Sequence, residues 1–301
     1  MLNKSSAAYL AKNGIGGFEN KCVLIVGATG AIGGKIAEIM LHLGARVLMA
    51  CRNPEKAKTL KARLLTEYSG AQIDILPLDL TDMDSIRNFV QDVSAQQMDI
   101  YDVILCAGAF HRPGEQTRYG ADLVFGVNFL SNACLMRGLM PYLRQLPHPV
   151  TILAATSLVY RFVRRMPDDF LHPSGGNFAV YAKSKYCLTR WMSYTAQQEK
   201  NVRLCLFHPG VCMTDMALNG FAPIVGFLGR KLHFLFNSTE KSALCAACAL
   251  FDPEKPMLFS PRGLLHVWGY PGKEQISPVP KSVSEALARK TDETLNEITD
   301  F

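Results

Sequence analysis

The sequence lacks the features that mark fibrous, disordered or nucleic-acid-binding proteins. It has no internal repeat, no low-complexity tract and no linker rich in Pro, Gly or Ser, so collagen, coiled coil and disorder are excluded. Charged residues make up only 19% of its 301 residues, and 32 Lys and Arg against 26 Asp and Glu leave a net charge of +6. Because this small excess forms no basic cluster, we expect no nucleic-acid partner.

The cysteine positions and the first residues of the sequence predict neither a disulfide framework nor a secretory signal peptide. The nine cysteines are an odd number and lie mostly in apolar runs, where cysteine behaves as a small buried residue of a reducing compartment. Cys245 and Cys248 have the spacing of a redox or metal pair, but no second pair or nearby His accompanies them, so we expect no metal site. The longest early apolar run, Ala7 to Ala11, is too short for a signal peptide. We therefore expect a cytoplasmic protein with a flexible N-terminal arm over residues 1–18.

Apolar runs and helical patterns alternate from Lys21 onward, which is typical of βαβ units and a parallel sheet covered on both faces. The predicted strands are residues 21–26, 45–50, 72–77, 102–106, 150–155, 202–207 and 264–268. The predicted helices are residues 32–43, 54–68, 83–95, 121–144, 179–198 and 240–251. The alternation continues past residue 150 without a break, so we predict an α/β fold: a single doubly wound Rossmann domain, residues 19–301, with a seven-stranded parallel sheet.

A glycine-rich turn joins the first predicted strand to the first predicted helix. Glycine permits a tight turn there and lets backbone N–H groups and the helix N-terminus approach a pyrophosphate. The turn therefore predicts dinucleotide binding. The candidate residues are Gly27, Thr29, Gly30, Ala31, Ile32 and Gly33.

The end of the second predicted strand bears on the choice of cofactor. An NAD enzyme places Asp or Glu there, about 20 residues beyond the glycines, but this sequence has Arg52 and Asn53, with Lys56 and Lys58 close behind. A guanidinium can pair with a 2′-phosphate. NADP(H) is therefore preferred over NAD(H), although an ordinary solvated charge at Arg52 stays open.

Four polar residues are candidates for proton transfer. Tyr181 and Lys185 lie four residues apart on one helix face, where a cation could stabilise the phenolate of a Tyr whose ordinary pKa is about 10. Ser157 closes the fifth strand and either holds a substrate oxygen or caps a turn. Asn128 lies in an apolar helical stretch, as a structural amide or as the anchor of a water.

Together these motifs resemble the short-chain dehydrogenase/reductase family over about residues 21–269, and Leu-Met-Ala-Cys-Arg-Asn and His-Pro-Gly resemble its retinol-dehydrogenase-like branch. The resemblance implies that Tyr181 is the general acid/base, that Ser157 orients the reacting oxygen, that Lys185 binds the nicotinamide ribose and lowers the Tyr pKa, and that Asn128 supports a water. It also implies NADP(H) and lipophilic alcohols or carbonyls, such as retinoids, steroids or lipids. Further implied cofactor contacts are Tyr181 itself and Asp79, Leu80, Ala107, Gly108, Pro209, Gly210, Val211 and Thr214.

Some residues depart from the family pattern. Ala31 stands where the family has Gly, and Leu105 and Cys106 replace an Asn-Asn pair. The spacing of Gly27, Gly30 and Gly33 resembles that of extended members that act on nucleotide sugars. Two alternatives therefore stay open: a cofactor-binding regulatory protein with weak or no catalysis, and a sugar-nucleotide enzyme.

The substrate side carries an apolar segment and a basic one. Residues 221–236 are rich in large apolar side chains and predict either a substrate lid, within about residues 215–238, or a helix on a membrane surface. Arg161, Arg164 and Arg165 follow Ser157 and indicate a solvated basic loop or a site for an acidic substrate. Peripheral membrane contact and a homo-oligomer both stay open.

Overall fold

One sheet organises the computed structural model, which describes residues 2–110, 112–212, 237–252, 254, 257–263 and 266–300. Within these residues the sheet has eight strands. They are β1 (Cys22–Val26), β2 (Arg46–Cys51), β3 (Ile73–Pro77), β4 (Ile100–Leu105), β5 (Val150–Ala155), β6 (Val202–Phe207), β7 (Leu258–Pro261) and β8 (Pro271–Glu274).

The strand order is β3-β2-β1-β4-β5-β6-β7-β8, and every neighbouring pair is parallel except β7 with β8. The predicted doubly wound α/β fold is confirmed. The order reverses between β1 and β4, and in such sheets the carboxyl ends of the strands on either side of the reversal form the ligand crevice.

The far edge of the sheet differs from the prediction. The seventh strand lies at Leu258–Pro261 and an eighth, antiparallel strand follows, so both the count of seven and the range 264–268 are wrong. Leu264 and Leu265 lie outside the described residues, and 266–268 form a turn in which His266 has a φ of 59°. The true strand was missed because it is short and ends in proline, a residue that sequence patterns count against strands.

Helices cover both faces of the sheet. They are α1 (Lys4–Lys12), α2 (Ala31–His42), α3 (Pro54–Glu67), α4 (Met83–Ala95), α5 (Leu123–Phe125), α6 (Ser131–Leu143), α7 (Asn177–Gln198), α8 (Thr239–Phe251) and α9 (Lys281–Ile298). A π-helical turn, Gly126–Leu130, joins α5 to α6, and a 3₁₀ turn, Leu158–Phe162, follows β5. Short polar side chains begin several helices, because their oxygens accept the N–H groups of the first turn: Asn53 for α3, Asp82 for α4 and Ser238 for α8.

The core has one layer on each face of the sheet. In β1, Leu24 packs into the layer that includes Phe129 and Trp191, whereas Val23 and Ile25 pack into the layer that includes Leu244. Every residue of β1 is buried, which explains why its sequence is continuously hydrophobic rather than alternating.

The N-terminal residues are not a flexible arm where the structure describes them. Lys4–Lys12 form α1, Leu10 is buried in the core, and the ring of Tyr9 stacks on that of Tyr270 with centroids 4.6 Å apart. That expectation is therefore wrong for α1.

One helical stretch is unusually apolar for its length. Leu123–Leu143 is long and apolar enough to cross a membrane, but 83% of its most apolar window is buried inside the fold. Packing against the sheet therefore accounts for its composition.

Candidate active site

A cleft of about 1090 Å³ opens beside the strand-order reversal. This volume is slightly above the usual range for ligand pockets, about 300–1,000 Å³, and is large enough for a dinucleotide. The predicted cofactor residues that line it are Gly27, Thr29, Gly30, Arg52, Asn53, Asp79, Leu80, Ala107 and Gly108. Ala31, Ile32 and Gly33 lie in the first turn of α2 instead and are not among the lining residues.

The glycine turn has no room for side chains. Gly27 has a φ of +87°, and a Cβ added there would lie 2.6 Å from the backbone nitrogen of Ala107. A Cβ on Gly33 would lie 2.3 Å from the carbonyl oxygen of Gly27. Gly30 is the N-cap residue of α2 and has no side chain that could accept a hydrogen bond. The N–H groups of the first turn are therefore left for an acceptor such as a phosphate. The backbone of this turn therefore fits a pyrophosphate.

The β2 end of the cleft is cationic. Arg52 and Lys56 both line the cleft and are exposed, and no ion pair of Arg52 is found among the described residues. The Asn53 side chain accepts the N–H of Lys56 at 3.0 Å and begins α3. Lys58, by contrast, pairs with Glu55 at 2.8 Å and is not among the residues that line the cleft.

Asp79 lies at the same end of the cleft, just after β3. Its Oδ1 accepts hydrogen bonds from the backbone N–H and the hydroxyl of Thr81, each at 2.9 Å. The carboxylate is therefore held in one orientation at the cleft wall.

Tyr181 and Ser157 meet at the carboxyl edge of the sheet. Ser157 follows β5, Tyr181 lies in the second turn of α7, and their hydroxyls are hydrogen-bonded. Burial raises the pKa of Tyr181 above its ordinary value of 10.0, and the Ser157 hydrogen bond opposes part of this rise. Phe110, at the cleft, meets the Tyr181 ring edge-on with centroids 4.8 Å apart. The pair therefore holds a protonated phenol beside a second hydroxyl.

Lys185 lies one turn further along α7 and is almost fully buried, with 5% exposure. Its Nζ donates to the carbonyl oxygen of Ala155 at 2.9 Å and is 6.0 Å from the centroid of the Tyr181 ring. Burial lowers the pKa of Lys185 to about 8. The predicted lowering of the Tyr181 pKa is not seen, because desolvation of the phenol outweighs other effects.

Asn128 lies in the π-helical turn and is completely buried. Its Oδ1 accepts the N–H of Ala109 at 2.8 Å, and its Nδ2 donates to the Ala109 carbonyl at 2.9 Å and to the Ser184 hydroxyl at 3.1 Å. Both amide hydrogens are therefore used, so the geometry favours a structural amide that clamps the segment after β4 to α7.

Several residues that line the cleft next to Ala107 and Gly108 were not predicted, notably Cys106, Ala109 and Phe110. The thiol of Cys106 lies 3.3 Å from the Val26 carbonyl oxygen, and burial raises its pKa to about 12. Extending the prediction by one residue before Ala107 and by two residues after Gly108 would have found all three.

The segment after β6 is only partly described. Pro209, Gly210 and Val211 follow β6 at the same sheet edge but are not among the residues lining the cleft. Val211 accepts the N–H of Asn237 at 2.8 Å. Thr214 and nearly all of the predicted lid, 215–238, lie outside the described residues.

Comparisons with known proteins give a consistent set of matches. A sequence profile described as short chain dehydrogenase matches residues 21–163. Retinol dehydrogenase 14 of Mus musculus is 29% identical over 218 residues, which cover 68% of this chain and 65% of that protein's length. Polyprenol dehydrogenase of Homo sapiens is 28% identical over 249 residues, which cover 78% of this chain and 74% of that protein.

Solved structures share the fold at low sequence identity. A putative uncharacterized protein from Mycobacterium paratuberculosis matches with a TM-score of 0.74 at 21% identity, over 94% of this chain and 96% of that one. An alcohol dehydrogenase from Thermococcus sibiricus, solved with 5-hydroxy-NADP, matches with a TM-score of 0.62 at 19% identity, over 80% and 94% of the two chains.

Proposed function

We propose that the chain is an NADP(H)-dependent oxidoreductase of the short-chain dehydrogenase family, acting on a lipophilic alcohol or carbonyl compound, since a profile described as short chain dehydrogenase matches residues 21–163. The single observation that carries the proposal is the contact between the Ser157 and Tyr181 hydroxyls, one helical turn from Lys185. These three residues do not line the dinucleotide-sized cleft themselves, but the Tyr181 ring packs against Phe110, which does.

The proposed roles follow from these positions. A bound nicotinamide would supply or accept the hydride. In the direction of reduction, the Ser157 hydroxyl holds the carbonyl oxygen and the Tyr181 phenol donates a proton to it. The Lys185 ammonium, 6.0 Å from the phenol ring, favours the negative charge that the donated proton leaves behind. Asn128 acts as a positioning residue, since its amide joins the segment after β4 to the helix that carries Tyr181.

The preference for NADP(H) is supported by the β2 end of the cleft. Arg52 and Lys56 offer cationic donors there, and no Asp or Glu follows β2 at the position where an acid would bind a ribose 2′-hydroxyl. Asp79 and the residues after β4 and β6, including Thr214, complete the proposed cofactor contacts.

A lipophilic substrate is supported by the names of the relatives, a retinol dehydrogenase and a polyprenol dehydrogenase. The apolar segment 221–236 is compatible with such a substrate in the role of a lid. We place the protein in the cytoplasm, in peripheral contact with a lipid surface, with residues 19–301 as the oxidoreductase domain.

A cofactor-binding regulatory protein is the second candidate. It is favoured by Leu105 and Cys106, which replace a polar pair at the end of β4. It is also favoured by the burial of Tyr181, because this burial raises the pKa of the phenol. Such a protein would bind the cofactor and turn over slowly or not at all.

A panel of lipophilic and water-soluble carbonyls and alcohols, run with NADPH and NADP⁺ and then with NADH and NAD⁺, tests the proposal. We expect turnover with lipophilic compounds and the phosphorylated cofactor. Tight NADPH binding by fluorescence, with no oxidation or reduction of any compound, would establish the regulatory protein instead.

A further inference from the structure

Two exposed aromatic side chains flank the proposed catalytic hydroxyls. Phe162 is 72% exposed, the highest value among the large apolar side chains that the structure describes, and it ends the 3₁₀ turn that begins after Ser157. Phe178 is 49% exposed and lies three residues before Tyr181 on α7, so the two project from one helix face. The 3₁₀ turn packs against α7. Both rings therefore lie on the two packed elements that adjoin Ser157 and carry Tyr181.

Cationic side chains accompany these rings. Arg164 and Arg165 follow Phe162 and are exposed, and no ion pair of either arginine is found in the described part of the chain. The acids that come next are Asp168 and Asp169, and Asp169 is engaged in a turn, where its Oδ1 accepts two backbone N–H groups. We call Phe162, Arg164, Arg165 and Phe178 the basic-aromatic edge.

The segment that carries Phe162, Arg164 and Arg165 is anchored at both ends. Arg161 forms an ion pair with Glu274 of β8, and Lys290 of α9 donates to the carbonyl of Asp168. The chain between these anchors therefore presents its side chains without a large loss of conformational freedom on binding.

We propose that the basic-aromatic edge docks on the surface of an anionic lipid bilayer. Aromatic rings enter the boundary between head groups and acyl chains, and guanidinium groups pair with lipid phosphates. An acidic protein would pair with the arginines but would gain little from two separate exposed rings, so lipid fits both features better. This docking names the surface that would make the peripheral lipid contact proposed above. The delivery of a lipophilic substrate to Ser157 and Tyr181 rests on the proposed function as well, whereas the docking does not require catalytic activity.

Sedimentation of the full chain with phosphatidylcholine vesicles, with and without phosphatidylserine, tests the proposal. We expect binding to the anionic vesicles, weakened about fivefold by Arg164→Ala and about 25-fold by Arg164→Ala with Arg165→Ala, since each cation near the surface contributes about fivefold. Phe162→Ser should weaken binding about tenfold. Thermal melting and turnover of a water-soluble carbonyl should be unchanged in these variants.

Matched controls come from segments that precede β6 and β7, whereas Phe162, Arg164 and Arg165 follow the carboxyl end of β5. Phe251 is 39% exposed at the end of α8, and Lys200 is exposed between α7 and β6. Phe251→Ser and Lys200→Ala should leave vesicle binding within twofold of the wild type.

Three results would overturn the proposal: no binding of the wild type to anionic vesicles, equal losses in the edge and control variants, or binding to polyglutamate but not to vesicles. Vesicle binding by a protein that turns over no substrate would refute the proposed function and leave the docking surface intact.

Discussion

Replacing Tyr181 by Phe removes one oxygen atom from the centre of the proposed site. The phenyl ring keeps its edge contact with Phe110, whereas the hydrogen bond with Ser157 is lost. One such bond contributes about 0.5–1.5 kcal/mol to folding, so the variant should remain folded. Proton transfer by a positioned side chain contributes about 100- to 10,000-fold to rate, and we expect kcat for carbonyl reduction to fall by that factor. NADPH binding should be unchanged, because the glycine turn and Arg52 are untouched.

Steady-state kinetics with NADPH, NADPH fluorescence titration and thermal melting measure the three quantities separately. Tyr186→Phe is the matched control, since Tyr186 is a buried tyrosine on the same helix whose ring faces the Arg190 guanidinium 5.4 Å away. It should lose less than threefold in kcat. If Tyr181→Phe keeps more than a tenth of the wild-type kcat, the phenol is not the proton donor and the assignment fails.

Three further predictions follow from the geometry. Gly27→Ala places a methyl group 2.6 Å from a backbone nitrogen at a φ of +87°, so it should cost about 1–3 kcal/mol in stability and abolish NADPH binding. Gly34→Ala is the control, because its Cβ would lie 3.5 Å from its nearest neighbour; thermal melting and NADPH titration should show neither effect. Arg52→Ala should raise the Kd for NADPH about 10- to 100-fold, from about 1.5–3 kcal/mol of charged hydrogen bonding, and leave the Kd for NADH unchanged, whereas Lys58→Ala should alter neither. Reduction should hold its rate up to about pH 8 and decline above it, because the buried Lys185 loses its proton there. The folded chain binds that proton less tightly than the unfolded chain, in which the pKa is 10.5, so the free energy of unfolding rises between about pH 8 and pH 10.5. A rate of reduction that stays constant up to pH 10 would contradict the role of the ammonium.

The sequence alone predicted the features that depend on residues close together in the chain. Alternating runs predicted β1 to β6 to within two residues, because buried parallel strands and the helices between them are distinguished by the period of their apolar residues. Gly27 was predicted from its place between a strand and a helix, and the spacing of Tyr181 and Lys185 fixed their common helix face.

The tertiary structure decided everything that depends on which distant segments meet. Only the packed chain shows that Lys185 donates to Ala155 of a neighbouring strand, that Asn128 clamps the residues after β4 to α7, and that Phe110 meets the ring of Tyr181. These contacts arise when helices from separate parts of the chain bury their apolar faces on one sheet, and no local pattern records the partner that a side chain finds there. The pKa of Tyr181 was misjudged for the same reason, since the extent of its desolvation is a property of the assembled fold.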